Sequence, residues 1–115
     1  MPDESVDCIF CRIARGEVPA AMVASTDSAI AFRDLDPKAP VHILVIPRRH
    51  IASLADSPDK AILGEVLALA ADVARQEGLT KGYRVVLNTG PDGGQTVGHL
   101  HAHLLGGRAM AWPPG

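Results

Sequence analysis

Residues 99–105 read His-Leu-His-Ala-His-Leu-Leu, an alternation that an extended strand sorts onto two faces. His99, His101 and His103 share one face. Leu100, Ala102 and Leu104 share the other, which suits a core. On a regular strand the imidazoles stand in a row, roughly 6.5–7 Å apart. Three of the chain's five histidines fall within residues 99–103, a clustering that chance placement does not explain. At this point three readings stay open: a solvated polar face, a metal-binding strand, and a catalytic strand. The last needs one imidazole poised as nucleophile or base and another group orienting it.

The preceding segment favours catalysis. Asn88-Thr89-Gly90-Pro91-Asp92-Gly93-Gly94-Gln95-Thr96 is a glycine-rich loop. Paired glycines let backbone approach a phosphate closely, and successive N–H groups there form an anion nest. Gln95 and Thr96 offer further donors. A Gly-Gly pair alone is more often a plain turn, but beside three aligned histidines it becomes a candidate phosphate site.

The rest of the chain frames these two segments. A length of 115 residues suits one domain. Asp7 is placed to N-cap a short helix over 8–15 that Gly16 stops. Residues 21–25 and 29–33 read as a hairpin joined by Thr26-Asp27-Ser28. Two prolines make 36–40 a loop. Residues 41–46 form a continuous apolar strand, broken only by His42, of the kind found mid-sheet. Ser57-Pro58-Asp59 starts a helix that runs to about Glu77, closed by Gly78. Its buried stripe is Ile62, Val66, Leu69 and Val73, widened by Leu63, Leu67 and Ala70. Strands follow over 83–88 and 98–105. The expected fold is α+β: an antiparallel sheet of about five strands, with one long helix and one short helix.

Composition excludes several classes. Eleven Lys+Arg against thirteen Asp+Glu give a net charge of −2, too little positive charge for a large phosphate-backbone footprint. No nucleic acid partner is therefore expected. No apolar run approaches the ~20 residues that span a bilayer, and no signal pattern opens the chain, so neither a membrane association nor export is expected. Two cysteines cannot build a disulfide framework. The expected location is cytoplasmic.

The 99–105 segment matches the His-φ-His-φ-His-φ-φ signature of the histidine triad (HIT) nucleotide-binding proteins. Further segments resemble the Hint branch of purine nucleoside phosphoramidases: 34–42 (Asp-Leu-Asp-Pro-Lys-Ala-Pro-Val-His), 44–47, 81–84, 92–95, 105–108 and 112–115. The resemblance implies a HIT-like half-barrel, a homodimer, and hydrolysis of purine nucleoside 5′-phosphoramidates through a covalent nucleotidyl-histidine. Other HIT chemistry, dinucleoside polyphosphate hydrolysis or nucleotidyl transfer, uses the same histidine with another leaving group. A nucleotide-binding interaction module is the non-enzymatic alternative.

Carried over by position, His101 is the nucleophile, oriented by the backbone carbonyl of His99. His42, Asn88, Gly94, Gln95, Thr96, Val97 and His103 match the phosphate site. Asp34 matches the ribose-hydroxyl acceptor, against an Asx-turn as the local alternative. Ile9, Phe10, Ile13, Phe32, Leu35 and Leu44 match the apolar base slot, with plain core as their alternative. Trp112 matches a tail tryptophan that reaches toward the partner protomer's site. Two departures stand out. Thr96 replaces a common Ser beside the leaving group, and Gly98 replaces a residue that is often aromatic.

Cys8-Ile-Phe-Cys11 places two sulfurs on one side of a helix. By itself the pair fits a zinc half-site, two buried thiols, or a redox pair, the last disfavoured because no strand precedes it. Zinc takes four ligands, and His50 and His99 are the further candidates. The resemblance to bacterial-type HIT proteins implies this Cys2His2 set with a structural zinc and no catalytic metal. Arg48 and Arg49 read as solvated surface.

Overall fold

A computed structural model describes residues 8–56 and 59–115. Helix α1 (Ile9–Ala14) leads into β1 (Met22–Ser25), β2 (Ala29–Arg33) and β3 (Val41–Pro47). After a single 3-10 turn (Leu54–Asp56) come α2 (Lys60–Gln76), β4 (Tyr83–Leu87) and β5 (Ala102–Gly106). The five strands form one sheet in the order β1-β2-β3-β5-β4, every neighbouring pair antiparallel. This is the expected α+β architecture, with the apolar β3 at the centre.

Local chemistry explains the elements. The β1–β2 turn closes on Thr26, whose Oγ1 accepts the Ala29 N–H at 3.0 Å while its own N–H donates to the Ala29 carbonyl at 2.7 Å. Asp59 caps α2 by accepting the Ala61 N–H at 2.7 Å. The cap expected at Ser57 thus falls at Asp59, and Ser57 and Pro58 lie outside the described residues. Likewise α1 is capped by the Cys8 sulfur, which accepts the Cys11 N–H, and Asp7 lies outside the described residues. Gly78, at φ +71°, ends α2 in the left-handed conformation that glycine favours.

Both sheet faces are covered. Val66, Leu69, Ala70, Val73 and Ala74 of α2 pack on Ala29, Ala31, Ile43, Val45, Ala102 and Leu104. The alanines let the helix approach closely. Leu67, expected on this stripe, is exposed instead, so the buried face of α2 is narrower than its pattern suggested. The opposite face holds Ile30, Phe32, Leu44 and Ile46 under Phe10 of α1. Arg48 is exposed yet not merely solvated: Nη1 donates to the Ala14 carbonyl and Nε to the Thr26 carbonyl, fastening α1 and the hairpin turn.

The last strand is shorter than its pattern. Its ladder with β3 ends at Val45–Ala102, so residues 98–101 run beside the sheet rather than in it. The next pairings meet Pro47, which has no N–H, and whose carbonyl accepts from His99 Nε2 at 2.9 Å. Leu100 donates instead to the Ile51 carbonyl at 2.6 Å.

Candidate functional site

The histidine face is enclosed rather than solvated. His99 and His101 are buried, and His103 is partly so. The His101 and His103 ring centroids lie 4.9 Å apart, closer than a regular strand would hold them, because 98–101 leaves the ladder. Both rings line a cleft of about 300 Å³. Its apolar wall consists of Ile9, Phe10 and Ile13 from α1, Phe32 and Leu44 from the sheet, and Val97. Leu35 stands on its rim, 99% exposed. A second cleft of about 470 Å³, lined by His42, Asn88, Gly94, Asp36 and Lys38, meets the first at Asp34, Thr96 and His103.

Hydrogen bonds fix how each imidazole carries its proton. His101 Nδ1 lies 2.7 Å from the His99 carbonyl, which can only accept. Nδ1 is therefore the N–H, and a neutral ring keeps its lone pair on Nε2. The Lys38 N–H donates to His42 Nδ1 at 3.0 Å, placing the His42 proton on Nε2. That nitrogen is 2.9 Å from His103 Nδ1 and 3.4 Å from Asp34 Oδ2. His103 Nδ1 accepts, so His103 carries its proton on Nε2. Burial lowers the His42 pKa, opposed by the Asp34 carboxylate. Burial, with His101 and His42 alongside, holds His103 down to about 4, so both rings are neutral at pH 7. The ordered chain Lys38→His42→His103 ends in a ring whose centroid lies 4.9 Å from that of His101.

The same geometry disfavours a metal on Asp34, His42 and His103, although their ligand atoms lie close together. A cation on His42 Nε2 would displace the proton that the Lys38 N–H places there.

The cysteine cluster behaves oppositely. Ligand atoms of Cys8, Cys11, His50 and His99 all lie within 4.8 Å of one another. His99 Nδ1 is 3.3 Å from the Cys8 sulfur and 3.4 Å from the Cys11 sulfur, and His50 Nδ1 is 3.2 Å from the Cys11 sulfur. Tetrahedral zinc with ordinary bond lengths separates sulfur and nitrogen ligands by about 3.5 Å. His99 Nε2–H is taken by the Pro47 carbonyl, which leaves the Nδ1 lone pair facing the thiols, and burial holds the ring neutral with a pKa of about 4. The donor set fits a structural zinc.

Most residues singled out from sequence line the two clefts, but Gln95 and Trp112 do not. Gln95 is committed to its own loop: Oε1 accepts from Gly90 N, and Nε2 donates to the Ala52 and Val97 carbonyls. Its backbone N–H donates to the Gly90 carbonyl, so Gln95 shapes the loop and lines neither cleft. Trp112 is 82% exposed and borders neither cleft. Asp34 does make the Asx-turn, Oδ1 accepting the Asp36 N–H at 2.8 Å, while still bordering both clefts. The loop turn itself requires Gly93, where any Cβ would sit 2.3 Å from the Thr89 carbonyl oxygen. A Cβ at Gly98 would meet nothing within 4 Å, so the approach there is open. Sequence reasoning missed the wall formed by Val18, Pro19, Ala20 and Ala21, and the Lys38 N–H that orients His42. Backbone donors and loop walls leave no side-chain pattern to read.

Comparison with known proteins places this geometry. The HIT domain family matches residues 15–110. An uncharacterized HIT-like protein of Synechococcus elongatus is 58% identical over 113 residues, covering 96% of this chain and 99% of that protein. A 14 kDa zinc-binding protein of Zea mays is 50% identical over 111 residues, covering 93% of this chain and 87% of that one. The crystal structure of a HIT family hydrolase from Legionella pneumophila superposes with a TM-score of 0.92 at 49% identity, covering 95% of this chain and 100% of that one.

Proposed function

The chain belongs to the HIT domain family, and we propose that it hydrolyses purine nucleoside 5′-phosphoramidates, with His101 as nucleophile. One observation carries the reading: His101 donates Nδ1–H to the His99 carbonyl at 2.7 Å, which leaves Nε2 basic beside an apolar cleft. The name of the Legionella relative, a hydrolase, agrees with it.

In this reading the base occupies the slot between α1 and the sheet, and Asp34 accepts from the ribose hydroxyls through lone pairs that the Asx-turn leaves spare. His101 Nε2 attacks the α-phosphorus. The P–N bond breaks, and the amine departs with a proton relayed from solvent water through the hydroxyl of Thr96, which borders both clefts. Water then cleaves the nucleotidyl-histidine and releases the nucleoside monophosphate. His103 Nε2–H and the backbone of the 88–97 loop steady the phosphoryl oxygens, so catalysis is largely positioning and fixed dipoles. Zinc on Cys8, Cys11, His50 and His99 supplies a structural staple when bound, as the zinc-binding name of the Zea mays relative suggests. No catalytic metal enters the scheme. The reading includes a cytoplasmic homodimer in which the exposed Trp112 serves the partner's site.

Side-by-side turnover of an adenosine 5′-phosphoramidate and a diadenosine polyphosphate tests the substrate class. Preferential release of AMP from the phosphoramidate is expected; preference for the polyphosphate overturns it.

A further inference from the structure

We propose that the Cys8–Cys11–His50–His99 cluster and the nucleotide cleft are energetically coupled, so that zinc and nucleotide each tighten binding of the other. This rests on the metal and nucleotide readings above and adds a link that neither contains.

Two physical connections carry it. The first is α1. Its six residues present Cys11 to the cluster and Ile9, Phe10 and Ile13 to the cleft, and Cys8 caps it. A helix of this length has no stability of its own, so its position depends on what anchors it. Phe10, between the two cysteines in sequence, sets its ring edge-on at 5.9 Å from His99, 5.2 Å from His101 and 5.6 Å from Phe32. Drawing the thiols onto a shared ion therefore also fixes the cleft wall.

The second is residue 99. Its imidazole belongs to the cluster, and its carbonyl orients the nucleophile. This stretch lies outside the sheet ladder and lacks the strand bonds that would hold it. What holds it is the His99 ring and the Leu100–Ile51 bond, which ties it to the residue after His50. Cluster and nucleotide thus order the same segments. Whichever binds second meets parts that are already fixed, which gives positive cooperativity. Linkage then requires one coupling factor in both directions.

The test measures both legs on the full chain. Calorimetry gives the Kd of AMP for zinc-loaded and chelator-stripped protein, with circular dichroism confirming that the stripped chain is folded. Competition with a metal chelator gives the Kd of zinc with and without saturating AMP. Zinc is expected to tighten AMP by roughly fivefold or more, and AMP to tighten zinc by the same factor. Unchanged constants on both legs, with both ligands binding, overturn the coupling alone. Absence of zinc binding overturns it together with the metal reading, and absence of AMP binding together with the nucleotide reading. If stripping unfolds the chain, zinc-loaded Cys8→Ser is compared with the parent. Serine keeps a capping oxygen and removes one ligand, so weaker AMP binding that excess zinc does not restore is expected. AMP affinity equal to the parent overturns the proposal.

Discussion

His103 is the residue where burial acts on titration most directly. Enclosure and two neighbouring imidazoles hold its pKa at about 4 against an ordinary 6.5. Between those values the ring is neutral in the fold and charged in the unfolded chain. Its stabilising effect is therefore complete above about pH 6.5 and declines as pH falls toward 4. Chemical denaturation at pH 7 and pH 5 should show the lower stability at pH 5. Nitrogen-15 spectra should show His103 protonated on Nε2 alone throughout that interval. A His103 ring titrating near 6.5 contradicts the enclosed relay. His42 follows the same logic in direction, since burial also lowers its pKa.

At the scale of elements, the glycine loop and α2 answer to different tests. Gly93 packs so tightly against the Thr89 carbonyl that Gly93→Ala forces the loop to move. A loss of about 1–3 kcal/mol in stability is expected, with weaker phosphate binding measured by AMP titration. Leu69 reaches from α2 into the core, away from both clefts. Leu69→Ala should cost about 2–5 kcal/mol by thermal or urea unfolding, while turnover per folded molecule stays unchanged. Elements with strong periodicity were the legible ones: the 21–33 hairpin, the apolar β3 and the α2 stripe. Less legible were effects that arise only between elements. Leu67 shares the spacing of the buried stripe yet faces solvent, which its spacing does not announce. That residues 98–101 leave the ladder depends on Pro47 across the sheet, which no local pattern in the histidine segment announces.

Over the whole molecule, the chain closes α1 onto the sheet with a Cys2His2 cluster in addition to a hydrophobic core. Removing a structural metal from such a site should lower thermal stability markedly. Chelator treatment is expected to drop Tm, and stoichiometric zinc to restore it; an unchanged Tm on verified metal loss contradicts the staple. Histidines and cysteines far apart in sequence were recognisable as two groups because their residue types carry distinct chemistry. Their division into a phosphate site and a zinc set was implied by the resemblance, but the proton placement that orders them was not legible, because backbone groups set it. His99 points its free nitrogen at thiols because Pro47 takes the other, and His42 and His103 are ordered by one backbone N–H from Lys38. The side chain of Gln95, which matches the family's phosphate site, is hydrogen-bonded to Gly90 and Ala52 around its own loop, a pairing its residue type does not announce. The measurement that bears most directly on this account is rapid quenching of the protein with a labelled adenosine phosphoramidate, followed by peptide mass spectrometry. An adenylyl group is expected on His101, lost together with turnover in a folded His101→Ala variant. Label on another residue, or full turnover by that variant, would contradict it.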